Sequence, residues 1–132
     1  MKISVNPEAQ PLSDFGYVKE GEYTLRVVGC EQKMKPGGEW PYLNWQFEFA
    51  DPNIQCVNNE PGKPGKKAGG IFETTTLKPD AQGFLRAACD SFGLTWGDFD
   101  TDETRGIEFR AKVGIEEYNG KFKNTVDKFL KR

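Results

Sequence analysis

The residues of this chain whose types and spacing could do chemistry are aromatics interleaved with lysines. Trp40, Tyr42, Phe72 and Tyr118 stand at the ends of strand-like stretches; Lys33, Lys35, Lys112, Lys121 and Lys123 accompany them, and Lys63, Lys66 and Lys67 sit in a Gly- and Pro-rich stretch. Flat aromatic faces stack on unpaired bases, each contributing about 1–3 kcal/mol, while cationic side chains follow the phosphates. The pattern therefore points to sequence-tolerant binding of single-stranded nucleic acid. Each residue also has a plainer reading. Lysines on exposed strands serve solubility and edge protection. Trp40 either caps one end of the fold or offers its face to a ligand, and the polarity of IFETTTL does not decide which side of Phe72 is buried.

Catalytic constellations are not found. The chain has no histidine, which excludes imidazole-based triads and dyads. Cys30, Cys56 and Cys89 are odd in number and lack metal-ligand spacing, so they read as reduced structural thiols. The acids Asp98, Asp100, Asp102 and Glu103 alternate, but the glycine and terminal glutamate of a calcium loop are missing at the required spacing. Residues 62–67, GKPGKK, lack the phosphate-loop pattern. A non-enzymatic binding protein with no cofactor is the expectation.

The elements that must position these residues start with the hairpin at the C-terminal end. Ile107, Phe109, Ala111, Val113 and Ile115 alternate with polar residues, and Asn119-Gly120 supplies a type I′ turn. This turn sets Tyr118 opposite Lys121, Ile115 opposite Asn124 and Val113 opposite Val126. Phe122, Val126 and Leu130 are expected to join Phe109, Val113 and Ile115 on the buried face. Arg110, Lys112, Lys121 and Lys123 then face outward, with Tyr118 at the tip.

Upstream, Tyr23, Leu25 and Val27 alternate until Val28 breaks phase beside Gly29, the signature of a bulge. Val28, Cys30, Gln32 and Met34 then take the inner phase, with Glu31, Lys33 and Lys35 outside. YLNWQFEF is a second strand, with Leu43, Trp45, Phe47 and Phe49 inside. Residues 51–70 form a long loop, and IFETTTL is a third strand rich in β-branched residues. Pro79 opens a helix over about 79–92, with Phe84, Leu85, Ala88, Cys89 and Phe92 on one face and Gly93 as its C-terminal cap. An acidic connection anchored by Trp96 and Phe99 leads back to the hairpin.

At 132 residues the chain has room for one domain and one core, and its ten Phe, four Tyr and three Trp suit a β-rich domain with aromatics to spare for a surface. Residues 1–20 form an N-terminal arm and 21–132 the domain. The reading is mainly β: a five-stranded OB-fold-like barrel with one helix between strands three and four. The formal net charge of −2 gives no global field for a polyanion, so any such site is a local patch. No signal peptide or membrane span is apparent, and a soluble cytoplasmic protein is expected.

Gly21-Glu22-Tyr23, Glu31 and Lys33 before a Gly-rich turn, the strand from Tyr42 to Phe49, Leu85 to Gly93, Asp102 to Gly106 and Asn124 to Phe129 together resemble a phage-encoded family of small proteins of unknown function, met near recombination and replication genes. The resemblance covers Gly21 to Phe129. It implies an OB-like single-stranded-DNA-binding or recombination-accessory role in DNA replication or recombination, with a phage recombinase or replication protein as a further partner. It prescribes no catalytic residues. Bacterial single-strand binders end in an acidic recruiting tail, whereas this chain ends Phe129-Leu130-Lys131-Arg132. The competing expectation is a protein-interaction module that docks on a recombinase or a host protein.

Overall fold

The structure is a computed structural model that describes residues 1–5 and 15–131, apart from the side chains of Phe15 and Tyr118. In chain order it contains β1 (Phe15–Gly16), β2 (Gly21–Lys33), β3 (Tyr42–Phe49), β4 (Lys67–Ala68), β5 (Ile71–Thr76), α1 (Gly83–Phe92), β6 (Glu108–Tyr118) and β7 (Lys121–Phe129). Five strands form one sheet in the order β5-β3-β2-β6-β7, with every ladder antiparallel. The fold is mainly β, with one α-helix between the third and fourth strands of that sheet.

Strand β2 is the centre of the sheet. Its ladder to β3 slips between Val27 and Gly29, where the sequence breaks phase, so the strand bends and Cys30 and Gln32 come opposite Trp45 and Leu43. Met34, expected on the inner phase, lies beyond the ladder and is 54% exposed, because β2 ends at Lys33.

The hairpin turn carries positive φ at Asn119 (51°) and Gly120 (76°), and the pairs Tyr118–Lys121, Ile115–Asn124 and Val113–Val126 are formed. The buried face of β7 departs from a simple alternation. A register shift between Lys112 and Val113 leaves Asp127 as an extra residue, so Phe129 turns inward and is buried, while Leu130 is half-buried. Phe122 is not in the core. It is 47% exposed, lies opposite Glu117 at the hairpin tip, and packs on Tyr17 with ring centroids 5.4 Å apart.

The core is a cluster of rings. Phe47 and Phe109 lie 4.9 Å apart, Phe92 and Phe109 4.8 Å, and Trp45 and Phe92 5.4 Å, mostly edge to face, the arrangement that ring quadrupoles favour. Trp45 donates its indole N–H to Thr75 Oγ1 at 2.9 Å, so its polar atom is satisfied where water is excluded. The helical stretch begins with a single 3-10 turn, Pro79–Ala81. The α-helix starts only at Gly83 and buries Leu85, Ala88, Cys89 and Phe92. Burying each large apolar side chain stabilises the fold by about 1.5–3 kcal/mol.

Strands β5 and β7 are the two edges and run in the same direction, and no backbone ladder joins them. Glu73 spans the gap instead. Its pairing with Trp45 puts it on the inner face, and its Oε1 accepts the Val126 N–H at 2.7 Å. Burial pushes the Glu73 carboxyl above its ordinary pKa, opposed by that hydrogen bond and by Lys123.

The arm and the long loop hold each other. β1 and β4 form a short parallel pair, and Val57 N–H donates to Tyr17 O at 2.8 Å. Gly16 runs against Cys56 so closely that a Cβ there would lie 2.5 Å from its Sγ. Val18, fully buried, donates its N–H to Asn124 Oδ1 at 2.8 Å. Asn124 Nδ2 in turn donates to Val18 O and Gly114 O, at 3.0 and 3.1 Å. A side-chain amide thus substitutes for a strand partner. The segment 6–14 of the predicted arm lies outside the described residues.

Candidate functional site

The alternation of YLNWQFEF that sends Trp45 and Phe47 into the core sends Tyr42, Asn44, Gln46 and Glu48 to the opposite face. The ladders extend that face sideways. Tyr42 pairs with Lys33 on β2 and Thr76 on β5, Asn44 with Glu31 and Thr74, and Gln46 with Gly29 and Phe72. Lys33, Tyr42 and Phe72 therefore share the outward side of three adjacent strands. Phe72 is 58% exposed, which settles the ambiguity of its strand in favour of the surface. It stands two side-chain rows from Tyr42, about 14 Å along the strands.

Trp40 and Lys35 border this face at the Tyr42 end, in the turn between β2 and β3; both are exposed, Trp40 at 46%. The hairpin β6–β7 approaches from the β5 edge. Lys123 is close enough to act on the Glu73 carboxyl at the seam between β5 and β7, not on the Phe72 side, and its Nζ lies 3.8 Å from Glu116. Lys121 opens β7 at the hairpin tip and is exposed. The backbone of Tyr118 pairs with Lys121; its side chain lies outside the described residues.

The other lysines fall elsewhere. Lys112 is on β6, opposite Glu22 and Lys128, with β2 between it and β3. Lys63 is ion-paired with Glu60 at 2.6 Å. Lys66 and Lys67 line a separate hollow of the long loop together with Asp51 and Asn59, and Asn59 Oδ1 accepts the Lys66 N–H at 2.7 Å.

Three residues of the face carry no ligand role in the sequence reading: Asn44, Gln46 and Arg105. The period-2 pattern turns the two amides outward, so their exposure is legible. Arg105 is not, because it closes an acidic connection that gives no sign of where it folds. Gly106 donates its N–H to Val27 O at 2.8 Å and Val27 donates to Ile107 O at 2.9 Å, which lays Arg105 beside the β2 bulge. Together with Glu31, Lys33, Asn44, Gln46 and Phe72 it lines a shallow hollow there.

The thiols are poor nucleophiles. All three are free; burial, with Asp102 and Glu31 nearby, pushes Cys30 up to about 12, and burial beside Asp90 pushes Cys89 up to about 11. The thiolate is the reactive form, and it is scarce near neutral pH at such values. Burial also raises Cys56, against the pull of Lys66. Among the described residues no cluster of three or more His, Cys, Asp or Glu is arranged to hold a metal, and no helix is long and apolar enough to cross a membrane. The face is equipped to stack, to donate and accept hydrogen bonds, and to offer local positive charge. Comparison with protein-family models and with curated proteins finds no match.

Proposed function

We propose that this protein binds single-stranded DNA without general sequence preference, on an OB-type sheet, in the replication or recombination of a phage. The observation that carries the reading is the convergence of Lys33, Tyr42 and Phe72 on one solvent-facing side of three strands, with Trp40 and Lys35 at its margin. Stacking platforms beside cations are what a single strand requires.

The OB-type reading draws support from the strand order. Numbering only the strands of the large sheet, β3 and β5 are its second and third, whose outer surface is the ligand face in that fold, flanked by the first–second and fourth–fifth loops. Those loops here hold Lys35 and Trp40 on one side and the Lys121 hairpin on the other. An OB barrel is partly open, and the Glu73–Val126 hydrogen bond lies where its third and fifth strands approach. The phage setting rests on the resemblance of Gly21 to Phe129.

A dT oligonucleotide titrated at low salt, followed by tryptophan fluorescence and by mobility shift, tests the reading. The expected result is binding whose log affinity falls with log salt at about −0.7 per phosphate contact. It should weaken by about 1–3 kcal/mol in each of Tyr42→Ala and Phe72→Ala. No binding at low salt, or binding indifferent to both substitutions, would overturn it.

A further inference from the structure

The hollow at the β2 bulge contains groups that stacking and phosphate contacts leave unused. It has a volume of about 550 Å³, with Phe72 on β5 forming one wall, Arg105 the other, and Asn44 and Gln46 between them. Among the described residues neither amide side chain makes a hydrogen bond, and no carboxylate lies within ion-pair distance of Arg105. The backbone at Arg105 is nonetheless held, since Thr104 before it is fully buried and Gly106 after it is bonded to Val27. Convergent polar groups with open hydrogen-bonding capacity on a concave surface are how a protein orients a ligand.

Charge indicates which part of a nucleotide belongs there. Lys33 is countered by Glu31, 3.7 Å away, and that carboxylate lines the hollow with Arg105. A phosphate would be repelled by it. A neutral ring with donors and acceptors on its rim would not. Arg105 continues β6 beyond β2, three strand spacings or about 15 Å from β5, a gap narrowed by the long arginine side chain that lines the same hollow as Phe72. A flat ring standing on edge needs a partner at about 3.5 Å on each face. Phenyl rings and guanidinium planes both stack on bases.

We propose that this hollow is a base slot, in which one unpaired base stands on edge between Phe72 and Arg105 while Asn44 and Gln46 read its hydrogen-bonding edge. One position of the bound strand is thereby base-selective in an otherwise tolerant interface. Adenine is the expected occupant, because an amide's adjacent donor and acceptor match its N6 and N7. The proposal rests on the single-strand reading above.

The test compares a short dT oligomer with the same oligomer carrying one central dA, dG or dC. The dA oligomer should bind about 5- to 100-fold more tightly than the others. The double variant Asn44→Ala/Gln46→Ala should bring all four to equal affinity with an unchanged salt slope. Arg105→Lys should lose the preference as Arg105→Ala does, since lysine keeps the charge but not the plane. Circular dichroism should show all variants folded, because these side chains contribute no internal hydrogen bonds. Equal affinity of the wild type for all four oligomers, or a preference that survives the double variant, would overturn the slot while leaving the single-strand reading intact. Failure of the wild type to bind any of them would overturn that reading, and the slot with it.

Discussion

Two halves of the same sheet face solvent in opposite ways. Where the first half of β2 lies between β3 and β6, Arg26 bridges Glu48 and Glu108 at 2.9 Å each, and Arg110 pairs with Glu22 at 3.7 Å. Past the bulge, where β2 and β5 flank β3, the outward residues of β3 and β5 include Tyr42, Asn44, Gln46 and Phe72, and among the described residues the one ion pair there is Lys33 with Glu31 at 3.7 Å. Opposite charges across a ladder favour pairing and register. Exposed aromatics and amides without partners among the described residues contribute little to the fold. The cations of this near-neutral chain are thus partly neutralised on one half, while the other half leaves aromatics and amides open to solvent.

That division lets substitutions separate stability from binding. The largest effect belongs to a residue wholly committed to the fold. Asn124→Ala strands the N–H and C=O of Val18 and the carbonyl of Gly114 in a buried setting. Urea unfolding should register a loss of about 3 kcal/mol or more, with unchanged oligonucleotide affinity per folded molecule. Phe72→Ala should do the reverse, weakening dT binding by about 1–3 kcal/mol while unfolding free energy stays within about 0.5 kcal/mol of the parent. If Phe72→Ala instead lowers the urea midpoint strongly, the contrast between the halves collapses. Arg26→Ala should cause a small fall in the urea midpoint that shrinks at high salt, with no change in affinity at fixed salt.

A subtler effect should mark the seam between the sheet edges. Burial holds the Glu73 carboxyl above its ordinary pKa, so the folded protein retains that proton after the unfolded chain has lost it. Its contribution to stability is then fully present below the unfolded carboxylate value and declines as pH rises through the folded one. Glu73→Gln keeps an acceptor for the Val126 N–H and should flatten the stability profile over that window, measured by urea midpoints across a pH series. Smallest of all, the Cys30 thiol, pushed up to about 12, should react sluggishly with iodoacetamide near neutral pH. Rapid alkylation of the folded protein would contradict its placement.

Much of the fold is legible in short sequence signals because local backbone chemistry produces it. Asn119-Gly120 specifies the hairpin turn through positive φ, and the phase slip at Val28 marks the bulge. The alternation from Tyr42 to Phe49 separates core from surface without knowledge of the partner strands. Two expectations miss for physical reasons. Phe122 continues the inward period of β7, but the core ends before the hairpin tip. Leu130 continues it too, but the extra residue Asp127 shifts the phase and Phe129 goes inward instead. Nothing local announces an extra residue opposite β6.

The sequence by itself determined which residues alternate, where the chain turns and bulges, that Trp45, Phe47 and Phe49 belong to the core, and that histidine chemistry is absent. Each of these follows from the conformational preference or identity of residues adjacent in the chain. Only the tertiary structure decided that Phe72 faces outward, that Asn124 holds the arm, that Glu73 bridges the sheet edges, and that Arg105 joins Phe72 around Asn44 and Gln46. Those outcomes depend on contacts between residues far apart in sequence, through the register of five strands and the backbone hydrogen bonds at Val27, which no short stretch of chain encodes.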